Sequence, residues 1–347
     1  MGTPSTTSAP AGSAAQPAGL TVAVTGAGGT LGPALLARLS RSARVGRIVA
    51  LGRHAIEART EPKVDIRRVD VRDRDGVEEA LAGADVVVHM AFSLYGIFQS
   101  EQELFAHNVE GTANVARAAV AAGAQRFVYT SSAAVYGGRK AQSEPLAEDA
   151  QLQAGARLFY ARHKAQAELV VRELIAGSDT ALYLFRPCAI VGPHAAGAAI
   201  SLVPRSVIEG ARQIAGSALR MSTLLPLPAP PVPLQFVHED DVAQALELAV
   251  LGSGEPGVYN LAGDGALNGA EVLRLLGLRR LPVPDRIVGG GLRLLATTPP
   301  LIPAIGWPEL IRQPLLVDTH RARRRLGWRP RFTSAQALAA TRLALTS

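Results

Sequence analysis

A tyrosine and a lysine four positions apart are the residues of this chain best suited to acid–base chemistry. Tyr160 and Lys164 occupy the run Tyr-Ala-Arg-His-Lys, and helical spacing would put both side chains on one face. A free tyrosine, with a pKa near ~10, is a poor acid–base group at neutral pH. An ammonium one turn away would lower that pKa, so the pair predicts proton transfer at a substrate oxygen. Lys164 is one of three lysines in a chain rich in arginine, which favours a specific role for it.

A serine hydroxyl in the run Thr130-Ser131-Ser132 is the candidate partner of that pair. The run follows an apolar segment typical of a strand, and ligands bind at the carboxyl ends of parallel strands. From there the Ser132 hydroxyl can donate to a substrate carbonyl or alkoxide. Thr130 and Ser131 are alternatives for this role, and the nearby Tyr136 faces either the substrate or the core.

A glycine-rich turn between the first strand and the first helix predicts a dinucleotide site. One glycine permits the tight turn, one lets the backbone approach a diphosphate, and one allows helix and strand to pack closely. The N–H groups at the start of the helix can then hold the diphosphate. The expected contacts of the turn are Gly26, Gly29, Thr30, Leu31 and Gly32. The Lys164 ammonium would hydrogen-bond the nicotinamide ribose of the same cofactor.

The end of the second strand bears on which dinucleotide binds. An acidic residue there would bind the ribose 2′-hydroxyl and repel a 2′-phosphate. The sequence has Leu51-Gly52-Arg53-His54 instead, and Arg53 can pair with a phosphate. The sequence therefore favours NADP(H) over NAD(H). Alternatively, Arg53 stacks on the adenine or faces solvent.

The ends of the following strands supply further candidate contacts to the cofactor. Asp70 ends the third strand, where a carboxylate can reach the adenine amino group, and Val71 follows it. His89-Met90-Ala91 ends the fourth strand and should line the cofactor cleft. Thr130 and Pro187, at the ends of the next two predicted strands, complete the expected set.

The elements that must position these residues alternate as in βαβ units. The predicted strands are Leu20–Thr25, Arg47–Leu51, Asp65–Val69, Val86–His89, Arg126–Thr130, Ala181–Phe185 and Gly257–Leu261. The predicted helices are Leu31–Leu39, Gly76–Leu81, Asn108–Ala122, Tyr160–Leu174, Ser201–Gln213 and Asp240–Leu251. Strands joined by helical crossovers predict an α/β fold, a Rossmann-type doubly wound parallel sheet.

A change in residue composition along the chain predicts a second, smaller lobe. We expect residues 1–18 to be a disordered tail, since they lack charged residues and an apolar core. Residues 19–192 with 236–264 would form the dinucleotide-binding domain. Residues 193–235 with 265–347, rich in proline breaks, would form a discontinuous substrate-binding lobe.

Together these motifs resemble the extended short-chain dehydrogenase/reductases of the NAD-dependent epimerase/dehydratase family. The resemblance runs from Thr21 to about Arg342. Its motifs are Thr25–Gly32, Asp70, His89–Ala91, Asn108–Thr112, Ser131–Gly137, Tyr160–Lys164, Arg186–Pro193, Phe236–Ala243 and Leu326–Pro330. The resemblance implies that Ser132, Tyr160 and Lys164 are catalytic and that Asn108 supports the active site.

Two departures from the family pattern bear on the substrate. Sugar-nucleotide epimerases of this kind usually carry an arginine before the Phe-Val-His element, and Leu234 stands there instead. Cys188-Ala189 replaces an asparagine often found after the sixth strand. The intervening segment 223–234 is apolar, and apolar walls supply neither the cations nor the N–H donors that a diphosphate needs. A largely apolar small molecule therefore fits better.

These features lead to one hypothesis and two alternatives. The first is an NAD(P)H-dependent oxidoreductase, a ketoreductase or dehydrogenase that transfers hydride to or from a carbonyl or secondary alcohol of an apolar molecule. The alternatives are a nucleotide-sugar epimerase or dehydratase and, from another class, a non-catalytic dinucleotide sensor. A sensor would have no need of the intact Ser132, Tyr160 and Lys164 set.

The amino-acid composition limits the kinds of partner that we expect the protein to bind. The net charge of +7 peaks at 321–331, which we interpret as a solvated helix face and loop and not as a nucleic-acid site. No apolar run is long enough to cross a membrane, and no metal site is predicted. A single cysteine, Cys188, gives no sign of an oxidising compartment, so we expect a cytoplasmic protein. A homodimer is a candidate assembly.

Overall fold

In the part of the chain that the structure describes there are nine strands, seven of them in one parallel sheet. The computed structural model describes residues 19–53, 63–93, 100–137, 144–153, 159–195, 229, 232–280 and 314–346. Its strands are β1 (Leu20–Thr25), β2 (Val45–Gly52), β3 (Val64–Arg68), β4 (Val86–His89), β5 (Arg126–Thr130), β6 (Ala181–Pro187), β7 (Ala189–Val191), β8 (Phe236–His238) and β9 (Gly257–Leu261). The large sheet has the order β3-β2-β1-β4-β5-β6-β9, and β7 pairs with β8 separately.

The helices cover both faces of the large sheet. They are α1 (Gly32–Arg41), α2 (Arg74–Leu81), α3 (Glu101–Phe105), α4 (Gly111–Ala121), α5 (Phe159–Ile175), α6 (Glu239–Val250), α7 (Gly269–Leu275) and α8 (Ser334–Thr346). Single π-helical turns occupy Ala106–Glu110 and Ala322–Leu326. The parallel sheet with helices on both sides confirms the predicted Rossmann-type fold class.

The period of two along the strands divides the core between these faces. In β1, Val22 and Val24 pack in one buried cluster that includes residues of α1 and α6. Ala23, between them, packs in a second cluster with residues of α2, α4 and α5. Successive strand side chains point to opposite faces, so a strand buried on both sides reads as a nearly continuous apolar run. This is why the strands could be found from sequence.

The strand order reverses between β1 and β4, and this reversal locates the site. Crossovers from β1 run one way to β2 and β3, and from β4 the other way to β5 and β6. A crevice opens at the carboxyl ends of the strands where the order reverses. The glycine-rich turn after β1 and the ends of β4 and β5 therefore meet at one edge of the sheet.

One element departs clearly from its predicted bounds. The helix expected to start at Asn108 starts at Glu101, because Ser100 and Glu103 form a capping box there. The π-helical turn then carries His107 and Asn108 before α4 begins at Gly111. The predicted helix Ser201–Gln213, the tail at 1–18 and most of the apolar segment 223–234 lie outside the described residues. The division into two lobes stays a prediction.

The segments that follow β6 return to the sheet through β8 and α6. The buried Trp328 indole donates to the Asp241 carbonyl oxygen at 2.8 Å, which fastens the end of the basic segment to α6.

Within the ranges that the structure describes, no helix has the length and apolar character needed to cross a membrane.

Candidate active site

Two glycines let the chain make the turn between β1 and α1. Gly26 has a φ of +70°, and a Cβ there would lie 2.6 Å from the Ala91 nitrogen at the end of β4. A Cβ on Gly32 would lie 1.7 Å from the Ala27 carbonyl oxygen, inside the turn itself. Both positions exclude any side chain, as expected for a turn that brings backbone close to a diphosphate.

A cavity of about 240 Å³ opens above this turn, between the ends of β1, β2 and β4. Its lining includes six of the predicted cofactor contacts, namely Gly26, Gly29, Arg53, Val71, Met90 and Ala91. The other predicted contacts do not line it: Thr30, Leu31, Gly32, Asp70, Thr130, Tyr160, Lys164 and Pro187. The structure therefore gathers the contacts expected near the adenosine half in one cavity.

Unpartnered polar groups around the cavity fit a dinucleotide. The backbone N–H groups of Thr30 and Leu31, before α1, have no hydrogen-bond partner in the part of the chain that the structure describes. The buried Thr130 hydroxyl also has none among those residues. Buried polar groups in proteins are nearly always satisfied, so these groups are suited to a ligand.

Asp70 is not placed as the sequence suggested. Its carboxylate accepts hydrogen bonds from the Arg72 side chain at 2.7 and 3.1 Å and from the Arg72 N–H at 3.0 Å. These bonds lower its pKa to about 2. The Asp70 carboxylate can accept a further hydrogen bond, but it does not line the cavity, so its placement does not support the predicted contact with the adenine.

Ser132, Tyr160 and Lys164 come together at the carboxyl end of β5. Ser132 is the second residue after the strand and is buried, and it is near enough to Tyr160 to counteract part of the rise in the tyrosine pKa. Lys164 lies one turn along α5, and its Nζ donates to the Thr130 carbonyl oxygen at 2.7 Å. The structure thus places the three predicted catalytic residues in one cluster.

The electrostatics of this cluster differ from the sequence-based expectation. Desolvation raises the pKa of Tyr160, and the nearby Ser132 side chain opposes this only in part. Burial lowers the pKa of Lys164 to about 7, against the opposing charge of Glu168. The expectation that Lys164 lowers the Tyr160 pKa is therefore wrong for this structure. The lysine head group is directed to the Thr130 carbonyl and is itself desolvated.

Phe92 is a site residue that sequence reasoning missed. Its ring lies over Lys164 Nζ, at 3.9 Å from the centroid, and meets Tyr160 edge-on at 5.5 Å. It also lines the cavity, so it joins the catalytic cluster to the cofactor cleft. Its position directly after His89-Met90-Ala91 was the available signal, because residues that follow a central strand reach the same edge.

Asn108 forms hydrogen bonds with the segment after β4. Among the described residues it makes no hydrogen bond with Ser132, Tyr160 or Lys164. Its Oδ1 accepts from the Ser93 N–H at 2.7 Å, and its Nδ2 donates to the Ser93 carbonyl at 2.9 Å. Phe92 precedes Ser93, so these two bonds fix the backbone that presents the Phe92 ring to Lys164. The inferred supporting role of Asn108 is consistent with this indirect path and stays a prediction.

A buried ion pair beneath the catalytic cluster engages the hydroxyl groups of Ser131 and Tyr136. Glu168, fully buried one turn after Lys164 on α5, pairs with Arg186 at the end of β6. The Ser131 hydroxyl donates to Glu168 at 3.0 Å. The Tyr136 hydroxyl accepts from Arg186 at 2.6 Å and donates to Asn260 at 2.7 Å. Ser131 and Tyr136 are thus occupied in the core, which leaves Ser132 and Thr130 as the candidate hydroxyls.

His89 is buried in the core and does not line the cleft. Its Nδ1 is hydrogen-bonded to the Thr25 hydroxyl at 2.6 Å, and its Nε2 to the Thr112 hydroxyl at 2.9 Å. Burial, followed by the charge of Lys164, lowers its pKa to about 3. The ring is therefore neutral at pH 7 and links the glycine-rich turn to α4.

The chain is similar in sequence and in fold to known proteins. A protein named y4nG from Sinorhizobium fredii is 26% identical over 330 residues, covering 92% of this chain and 77% of its own. WbmG from Bordetella bronchiseptica, solved with NAD and UDP, superposes with a TM-score of 0.69 at 19% identity, over 94% of this chain and 95% of its own. DesIV, a dTDP-glucose 4,6-dehydratase from Streptomyces venezuelae solved with NAD and TYD, gives 0.69 at 22%, over 94% and 97%. These two structures share the fold.

The sequence also matches a family model over more than half of its length. The match spans residues 22–262, from β1 to just beyond β9, and so includes the glycine-rich turn, the catalytic cluster and the Glu168–Arg186 pair. This confirms the resemblance read from the motifs. The chain belongs to the NAD dependent epimerase/dehydratase family.

Proposed function

We propose that this protein is an oxidoreductase that transfers hydride between a nicotinamide dinucleotide and a carbonyl or secondary alcohol. The observation that carries the proposal is the packing of Ser132, Tyr160 and Lys164 at the end of β5, beside the cavity at the strand-order reversal. A sensor that only binds a dinucleotide would not require a hydroxyl, a phenol and an amine in one cluster. Family membership supports the same class of chemistry.

The residues have distinct proposed tasks. The nicotinamide cofactor, when bound, supplies or accepts the hydride. Ser132 donates a hydrogen bond to the substrate oxygen and Tyr160 gives or takes its proton. Lys164, whose pKa is lowered to about 7 by burial, is suited to exchange protons near neutral pH and to hold the Tyr160 end of the site. The N–H groups of Thr30 and Leu31 would hold the diphosphate.

NADP(H) is the cofactor we propose, with NAD(H) as the alternative. Arg53 lines the cavity, and the described residues contain no ion-pair partner for it. A guanidinium in this position can pair with a 2′-phosphate. Asp70, the nearby acid that could have opposed a phosphate, is neutralised by Arg72. WbmG and DesIV were solved with NAD, which supports the alternative.

A largely apolar ketone or alcohol is the substrate class we propose. Leu234 stands where a cation for a substrate diphosphate would be expected, and it pairs through its backbone with Leu267. Its side chain packs on a small apolar cluster that includes Phe236 and Leu267. This position therefore offers no charge to a diphosphate.

A nucleotide-sugar epimerase or dehydratase is the second candidate, and it fits the comparisons at least as well. DesIV, which shares the fold over 94% of this chain, is a dTDP-glucose 4,6-dehydratase, and WbmG was solved with UDP. Such enzymes use the same hydride chemistry and regenerate the cofactor. The difference between the two candidates lies in whether cations elsewhere in the chain hold a diphosphate.

Tyr160→Phe tests the proposed chemistry. The variant loses one oxygen and keeps its ring against Phe92, so folding and cofactor binding should survive. Turnover of a ketone that the unmodified protein reduces, measured as NADPH consumption across a panel of alkyl and aryl ketones, should fall by ~10²–10⁴-fold. Tyr183→Phe is the matched control, because its hydroxyl bonds the Gly254 carbonyl away from the site.

The outcome separates an enzyme from a sensor. Full activity in Tyr160→Phe would show that the proton comes from another group, and the assignment would then be wrong. If the unmodified protein binds the dinucleotide but turns over neither ketones nor sugar nucleotides, and both tyrosine variants bind it equally, the sensor is the better description.

A further inference from the structure

The π-helical turn Ala106–Glu110 brings a histidine to the cofactor cavity. His107 lines the cavity together with Arg53 and Val71, although it lies in a different βαβ unit from either. The approach is close because Gly111 follows the turn: a Cβ there would lie 2.6 Å from Val71 Cγ2. Single π-helical turns inside helices occur frequently at functional sites.

The hydrogen bonds around His107 determine which ring nitrogen faces a ligand. His107 Nδ1 lies 3.2 Å from Asn108 Oδ1. That oxygen must be an acceptor, because it also receives the Ser93 N–H while Asn108 Nδ2 donates to the Ser93 carbonyl. The neutral imidazole therefore carries its hydrogen on Nδ1. Nε2 keeps a lone pair and has no hydrogen-bond partner among the described residues.

The charged and titratable groups that act on the His107 ring lie at the ends of β2, β3 and β4. Arg53 follows β2, Asp70 and Arg72 follow β3, and His89 ends β4. Asp70 and Arg72 neutralise each other as an ion pair, and His89 is neutral. Arg53 is thus the uncompensated charge in this group. Burial, and after it the charge of Arg53, lowers the pKa of His107, which leaves the ring uncharged when the cavity holds no anion.

We propose that His107 determines cofactor specificity: with Arg53 it receives the 2′-phosphate of NADP(H) and takes up a proton as that phosphate binds. This rests on the cofactor preference proposed above. A lone pair on Nε2 would repel phosphate oxygens, whereas a protonated Nε2 donates a charge-assisted hydrogen bond to them. The proton comes from solvent and is added to Nε2, and no other bond forms or breaks. NAD(H) has no 2′-phosphate and should cause no such uptake.

Proton uptake makes the preference for NADP⁺ depend on pH. If binding adds one proton, the affinity ratio of NADP⁺ to NAD⁺ should rise by up to about tenfold per unit as the pH falls from about 8 to about 6. Isothermal titration calorimetry with each dinucleotide gives both dissociation constants, and buffers of different ionisation enthalpy give the proton count directly. The unmodified protein should take up more protons with NADP⁺ than His107→Gln does.

The variants separate this proposal from simpler explanations. In His107→Gln and His107→Asn, the ratio of NADP⁺ to NAD⁺ affinity should lose the His107 share of its pH dependence. The 2′-phosphate itself titrates near ~6, but it does so equally in all variants and cancels in the comparison. His320→Gln, at an exposed position outside the cavity, is the control for loss of a histidine.

Two results would overturn the proposal, and they differ in what else they affect. If Arg53→Ala abolishes a real NADP⁺ preference, yet His107→Gln keeps the pH dependence of the unmodified protein, then His107 does not receive the phosphate and the cofactor assignment stands. If the unmodified protein shows no NADP⁺ preference between about pH 6 and 8, the cofactor assignment and the role of His107 are both wrong. The hydride chemistry assigned to Tyr160 is tested separately.

Discussion

Acidification should destabilise this protein in part through one fully buried ring, that of His89. The imidazole is fully buried between the Thr25 and Thr112 hydroxyls, and its pKa is about 3 in the folded protein against 6.5 for a free histidine. Between these two values the unfolded chain binds a proton that the folded chain does not. Stability must therefore fall as the pH drops below the unfolded pKa, and above it His89 has no such effect.

The size of the effect follows from the length of that interval. Each pH unit within it changes the free energy of unfolding by about 1.4 kcal/mol. On lowering the pH from about 7.5 to about 5, His89 alone should remove about 2 kcal/mol, since only the part below the unfolded pKa counts. Glutamine at this position cannot titrate, so His89→Gln should lose this component while remaining less stable overall.

Urea unfolding at several pH values measures the difference. The stability gap between the unmodified protein and His89→Gln should narrow by about 2 kcal/mol across that range, because all other titrating groups cancel. His320→Gln, which replaces an exposed histidine, is the control for loss of an imidazole. A gap that stays constant across the range would refute the reasoning, because it would mean that His89 is protonated equally in both states.

Three further outcomes are expected. Arg186→Met should lower the free energy of unfolding by roughly 3–5 kcal/mol in denaturant titration, because it leaves the buried Glu168 carboxylate without its main partner; an effect no larger than that of the exposed pair variant Arg74→Met would contradict this. Arg53→Ala should erase most of an NADPH-over-NADH preference of roughly tenfold to a hundredfold, and equal affinities in the unmodified protein would reject it. Apolar ketones, but not UDP- or dTDP-sugars, should raise the melting temperature of the cofactor-bound protein; a clear shift with a sugar nucleotide would favour the epimerase or dehydratase.

Much of the architecture could be predicted because its signals are local. Strands buried on both faces are continuous apolar runs, so β1, β4 and β5 were placed to the residue. The glycines of the turn after β1 were recognisable from their spacing, since a side chain at Gly26 or Gly32 would collide with neighbouring backbone. Helical spacing likewise put Tyr160 and Lys164 on one face of α5.

One element was missed because it depends on contacts distant in sequence, and the start of another was misplaced although its signal is local. Strand β7 (189–191) pairs with strand β8 (236–238), and no local pattern in the sequence indicates this pairing. The helix that begins at Glu101 was placed seven residues too late because its capping box and its π-helical turn interrupt the apolar pattern.

The sequence by itself identified the groups that we propose carry the chemistry, whereas the tertiary structure decided their electrostatic state. Lys164 was expected to act on Tyr160, yet its head group bonds the Thr130 carbonyl, 34 residues away in sequence, under the ring of Phe92. Asp70 is held by Arg72, and His107 enters the cavity from another unit of the fold. A pKa depends on desolvation and on charges nearby in space. Neighbours of that kind are brought together only by folding, so no spacing along the chain could have given them.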